Sequence, residues 1–181
     1  MPYGVGIGPQ PINFQKTMVF IDGTNLFYRL EAEKFKLKSL IGIGEYFARG
    51  RQLIRTYLYT SPPHYEKAKT VHGENVFREV RVVLGDALEK GDGNWKEKGV
   101  DALLVADLIY HAAVKNYDYA ILISTDADFA KALKRVEDFG CRTAVVSICS
   151  TAPELLRLSA DDVYEAPGFI LRDHHLIERI D

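Results

Sequence analysis

Residues Ile121–Phe129 read ILISTDADF, an apolar strand that runs straight into two aspartates one residue apart. The stretch TMVFID (17–22) ends the same way on Asp22, and Asp101 opens an evident helix in KEKGVDALLVAD. Carboxylates in such places have two readings. In the first, Asp126 is the N-cap of the following helix and Asp128 faces the positive end of its dipole, worth about 0.3–1 kcal/mol. In the second, Asp22, Asp101, Asp126 and Asp128 converge in one cleft. Two carboxylates about 4 Å apart repel by roughly 4 kcal/mol at an effective dielectric of about 20. A hard divalent cation, Mg²⁺ or Mn²⁺, offsets that repulsion through oxygen ligands and keeps water positions open for a substrate.

Convergence requires the right elements. Apolar, β-branched or aromatic runs predict strands at 17–22, 53–60, 80–90, 119–124 and 142–148, with 161–166 as an edge strand. Helical segments are expected at 24–35, 39–50, 63–80 with an interruption near Gly73, 99–116, 127–140 and 153–160, and a terminal helix at 172–180; Gly50 and Gly140 read as C-caps. Gly91-Asp92-Gly93 suggests a hairpin. Strands separated by helices argue for a three-layer α/β/α sandwich around a mostly parallel sheet, and right-handed crossovers give the order 3-2-1-4-5. That order makes the first and fourth strands neighbours where the winding reverses, the place at which open sheets bind ligands. Asp22 and Asp126 leave those two strands together.

The chain has 181 residues, 47% hydrophobic and 27% charged, which suits one soluble domain with a real core. Residues 1–16, containing GIGPQP, read as an arm, 17–165 as the domain and 166–181 as a helical extension. Gly4, Gly6 and Gly8 neither follow a strand nor open a helix, so they make no phosphate loop. No apolar run reaches the roughly 20 residues of a membrane span, and the first residues lack a signal pattern, so a cytoplasmic protein without a membrane partner is expected. Cys141 and Cys149 match no disulfide or zinc spacing. The formal charge of −2 leaves nucleic-acid binding to a local basic patch.

Asp107 falls on the apolar side of the helix at 99–116, so it either pairs with His111 four residues on or stands at the margin of the site. Ser124 and Thr125 offer hydroxyls to a ligand or cap the helix after them. Tyr57, Tyr59, Tyr65 and Trp95 would stack bases or form a homo-oligomer surface if exposed, although core and rim packing is the commoner role for such residues.

The ordered set FIDGTN, KEKGVDALLVAD, ILISTDADF and LRLSADDVYE resembles the NYN domain family, the LabA-like branch of the PIN-like nucleases, over roughly residues 17 to 165. The resemblance implies a PIN-like fold and hydrolysis of RNA phosphodiesters with Mg²⁺ or Mn²⁺ held by Asp22, Asp101, Asp126 and Asp128. It implies that Asn25 orients the scissile phosphate or a water, the alternative being a helix-start residue that satisfies local backbone. Lys98, or Lys96 beside it, would contact phosphate, the alternative being a solvated hairpin face. Thr125 departs from the glycine common in the family and narrows access to the metal. Two rival readings follow. An Asp-x-Asp-Gly-Thr phosphatase needs a nucleophile where Phe20 stands. A catalytically inactive RNA-binding or regulatory module would keep the fold without turnover.

Overall fold

The computed structural model describes residues 14–180. Most of the arm expected at 1–16 therefore lies outside the described residues. The elements run β1 (Lys16–Asp22), α1 (Gly23–Ala32), β2 (Phe35–Leu37), α2 (Leu40–Ala48), β3 (Gln52–Thr60), α3 (Pro62–His72) and β4 (Arg81–Leu84). They continue with β5 (Asp86–Glu89), β6 (Trp95–Lys98), α4 (Val100–Ala113), β7 (Tyr119–Ile123), α5 (Ala130–Glu137) and β8 (Arg142–Ile148). The last are α6 (Glu154–Arg157), β9 (Asp162–Ala166), α7 (Gly168–Asp173) and β10 (Ile177–Arg179).

Six strands form one sheet in the order β4-β3-β1-β7-β8-β9, with every pairing parallel. The five expected strands keep their order and β9 extends the edge. Alternate residues of β1 feed two cores: Val19 and Ile21 face α1 and α2, and Met18 and Phe20 face α4 and α5. This is the α/β/α sandwich that a both-faces-buried parallel sheet requires. Gly23 follows directly, where a Cβ would stand 2.7 Å from the Tyr59 carbonyl oxygen. The missing side chain lets α1 start hard against β3.

Two expectations need correction. The run at 80–90 is not one strand. It breaks at Gly85, where a Cβ would meet Val100 Cγ2 at 2.7 Å and the Lys98 carbonyl oxygen at 3.0 Å. The chain turns there past the start of α4, and β5 pairs with β6 as the expected hairpin. The helix expected at 172–180 is also absent. The α7 helix stops at Asp173, His175 takes a left-handed φ of 59°, and Ile177–Arg179 pair antiparallel with Phe35–Leu37. The free edge of β2 and burial of Ile177 override the local helical pattern.

His72 ties α3 to this small sheet, its Nδ1 accepting the Leu37 amide N–H at 3.2 Å. Burial drives its pKa down from 6.5 to about 4, with Glu31 opposing and Lys36 assisting. Between those values the unfolded chain binds the proton and the folded chain does not, so stability is lost as pH falls through that window. Asp22, described below, acts oppositely at overlapping pH, so the two are separated by substitution. Relative to His72→Asn, the wild type should lose about 1–2 kcal/mol between pH 7 and pH 4.5, after discounting for the ring's partial exposure. Melting temperatures of both proteins across this range test the effect, and parallel curves would contradict it.

Candidate active site at the carboxyl ends of β1 and β7

Strands β1 and β7 are hydrogen-bonded neighbours, and each ends in a tight turn into a helix. Asp22 is the last residue of β1 and the N-cap of α1. Its Oδ1 accepts the Asn25 amide N–H at 3.1 Å and its Oδ2 accepts the Ser124 hydroxyl at 2.8 Å. Ser124 Oγ in turn accepts the Asp126 amide N–H at 3.0 Å, linking the two strand ends. Only 6% of Asp22 is exposed. Burial pushes its pKa up from 3.8 to about 6 against those two hydrogen bonds, and the charges of Asp101 and Asp126 add to the rise.

Asp126 caps the short 3-10 turn Ala127–Phe129 by accepting the Asp128 amide N–H at 2.9 Å. The cap reading of Asp126 is thus realised, and it uses one carboxylate oxygen. Asp128 projects from that turn and is exposed. Asp101 stands in the first turn of α4, and its pKa is raised by partial burial, then by the charges of Asp126, Glu97 and Asp128. The charge of Asp126 therefore acts on both Asp22 and Asp101, and that of Asp128 on Asp101. Among the described residues, no three acidic, histidine or cysteine side chains already surround one point as a ligand cage. The all-oxygen donor set itself has the chemistry of a Mg²⁺ or Mn²⁺ site rather than a zinc site.

Asn25 and Thr125 bind each other. Asn25 Oδ1 accepts the Thr125 amide N–H at 3.2 Å, and Asn25 Nδ2 donates to Thr125 Oγ1 at 2.9 Å. The pair clamps the start of α1 to the exit of β7. Lys96 and Lys98 are exposed and, by strand alternation, lie on the face of β6 opposite Glu97. Asp107 and His111 do not pair directly. Tyr59 OH donates to Asp107 Oδ2 at 2.9 Å, and Tyr57 OH lies 3.0 Å from His111 Nε2. Tyr57 and Tyr59 are buried, which removes them from any base-stacking surface, whereas Trp95 stays 44% exposed.

Two residues outside the expected set complete the surroundings. Glu97 accepts the Thr24 hydroxyl at 2.5 Å and the Ser61 amide N–H at 2.9 Å, and it lies 3.3 Å from His64 Nδ1. It clips the β5–β6 hairpin over the starts of α1 and α3. Arg29 reaches Thr125 Oγ1 from one helical turn beyond Asn25, at 3.3 Å. Its buried Nε–H has no hydrogen-bond partner among the described residues. The i, i+4 spacing of Asn25 and Arg29 was the available signal for it. Glu97 had no such mark, being a lone acid between two lysines.

A family model described as the NYN domain matches residues 16–170. No curated protein matches the chain. Among solved structures, a protein of unknown function from Vibrio parahaemolyticus superposes with a TM-score of 0.65 at 18% identity, covering 87% of this chain and 96% of that one. Among the described residues no helix is long and apolar enough to cross a membrane.

Proposed function

Because this chain belongs to the NYN domain family, a family of PIN-like nuclease folds, we propose that it is a metal-dependent ribonuclease acting at the carboxyl ends of β1 and β7. The observation that supports the reading is Asp22, a buried carboxylate at the end of β1 whose charge is opposed first by burial and then by the charges of Asp101 and Asp126, a cost that a bound cation would relieve. Asp22, Asp101, Asp126 and Asp128 would hold one or two Mg²⁺ or Mn²⁺ ions. When bound, such an ion supplies an activated water and neutralises charge on the scissile phosphate and the leaving 3′-oxygen.

The chain's own residues do the positioning. Ser124 fixes one oxygen of Asp22 and the Asn25 amide fixes the other, so the carboxylate cannot rotate away from the cleft. The Asn25–Thr125 clamp holds the two strand ends at constant separation, and Arg29 brings a guanidinium beside Thr125 for the phosphate charge. Lys98, exposed on the hairpin face opposite Glu97, would contact a phosphate only from that side. The test is cleavage of labelled single-stranded and hairpin RNA in Mn²⁺, Mg²⁺ and EDTA. Cutting should require metal and fall by about 100-fold or more in Asp126→Asn, the loss of several kcal/mol of charge stabilisation. RNA binding without cutting, unaffected by metal or by this substitution, would instead assign a binding module.

A further inference from the structure

Beside the acids lies a cleft of about 510 Å³ between α1 and α3, large enough for a nucleoside. Its walls include Thr24, Phe27, Tyr28, His64, Lys67 and His72. The cleft and the acidic site share a wall. Thr24 stands two residues past Asp22, and both Thr24 and His64 contact Glu97, the carboxylate whose charge acts on Asp101. The aromatic surface is open where a ring would enter: Tyr28 is 66% exposed, with the Arg29 guanidinium 5.8 Å from its ring centroid. Deeper in, Phe27 and His72 lie 5.5 Å apart, centroid to centroid. His72 uses Nδ1 to accept the Leu37 N–H, which leaves the other ring nitrogen of a neutral imidazole as a hydrogen-bond donor. At the rim, Lys67 holds Glu31 at 3.0 Å in a largely exposed pair. Pairs of this kind are weak, and Lys67 can exchange its partner for a phosphate.

We propose that this cleft seats one unpaired nucleobase of the RNA strand, next to the end of the sheet where Asp22, Asp101 and Asp126 lie. The assignment rests on the ribonuclease reading and adds a base-binding subsite to it. A base inside a duplex is stacked and cannot enter, so the seat takes only an unpaired base. Stacking on aromatic side chains tolerates any base, and the His72 donor and the Thr24 hydroxyl supply polar edges for preference among bases.

The experiment measures affinity in the Asp126→Asn background with Mg²⁺, so that binding is read whether or not the wild type cuts. Short fluorescent single-stranded RNAs carry one abasic nucleotide at each position in turn. One abasic position should weaken binding by roughly 5- to 150-fold, the range of one stacked base. Adding Tyr28→Ala should weaken intact RNA by a similar factor and abolish sensitivity to that position, while Tyr28→Phe should preserve both. Tyr28 is largely exposed, so its replacement leaves the core intact. Equal affinity for every abasic RNA, or no effect of Tyr28→Ala, overturns the base seat even if wild type cleaves. A changed sedimentation coefficient in Tyr28→Ala with unchanged RNA affinity assigns the face to a second copy and also overturns it. Position-dependent affinity without wild-type cleavage supports the seat and removes only the nuclease reading.

Discussion

Asp22→Asn should lower metal-dependent RNA cleavage by about 100- to 1,000-fold, the loss of several kcal/mol of charge stabilisation at the phosphate. The same substitution should stabilise the metal-free protein. Asparagine caps a helix as well as aspartate does, so the bond from the Asn25 amide survives. What disappears is a charge held where burial opposes it, with a pKa near 6 against an ordinary 3.8. The folded protein binds the proton more tightly than the unfolded chain, so the penalty is absent below about pH 4 and complete above about pH 6. At pH 8 in EDTA the gain is at most about 3 kcal/mol, less the weakened bond to Ser124. Thermal melts of both proteins at pH 8 and pH 4 should separate at the first and converge at the second. A variant that melts lower at pH 8, or cuts normally, would make Asp22 a cap and nothing more.

Phe20→Ala should cost about 3–5 kcal/mol and lower the melting temperature by roughly 6–20 °C. Phe20 is fully buried in the central strand, its ring 5.6 Å from Tyr57 and stacked nearly parallel to it, and 5.8 Å from Tyr117 edge-on. The two rings on β3 are the ones that hold His111 and Asp107, so the cavity would loosen a polar layer as well as an apolar one. Circular dichroism melts measure the loss. A drop under about 1 kcal/mol would show that this face of the sheet collapses freely around the hole. The same burial explains why no phosphatase nucleophile belongs here: an aspartate at position 20 would point into the second core and away from the cleft.

The central strands were legible because parallel strands buried on both faces are continuous apolar runs, and Asp22 and Asp126 stood out as polar breaks at their ends. The same burial hid the environment of Tyr57 and Tyr59, whose hydroxyls look like surface features until Asp107 and His111 are placed against them. Glu97 was illegible because its importance comes from Thr24, Ser61 and His64, all distant in sequence. The run at 80–90 reads as one strand through Gly85, and only the position of Val100 shows that the chain must turn there. The β10 strand was missed because its partner Phe35–Leu37 has three residues and no pattern of its own.

That late pairing sets an order of events during synthesis. The four acids have all been synthesised once residue 128 has been made, and the last strand of the main sheet is β9. The strand that covers Phe35 and brings Ile180 to the cleft wall is made after all of these. At roughly 5–20 residues per second it follows β2 by several seconds or more. A chain still on the ribosome thus carries the four carboxylates with an unfinished cleft beside them, and the two become one surface only when translation has passed residue 180.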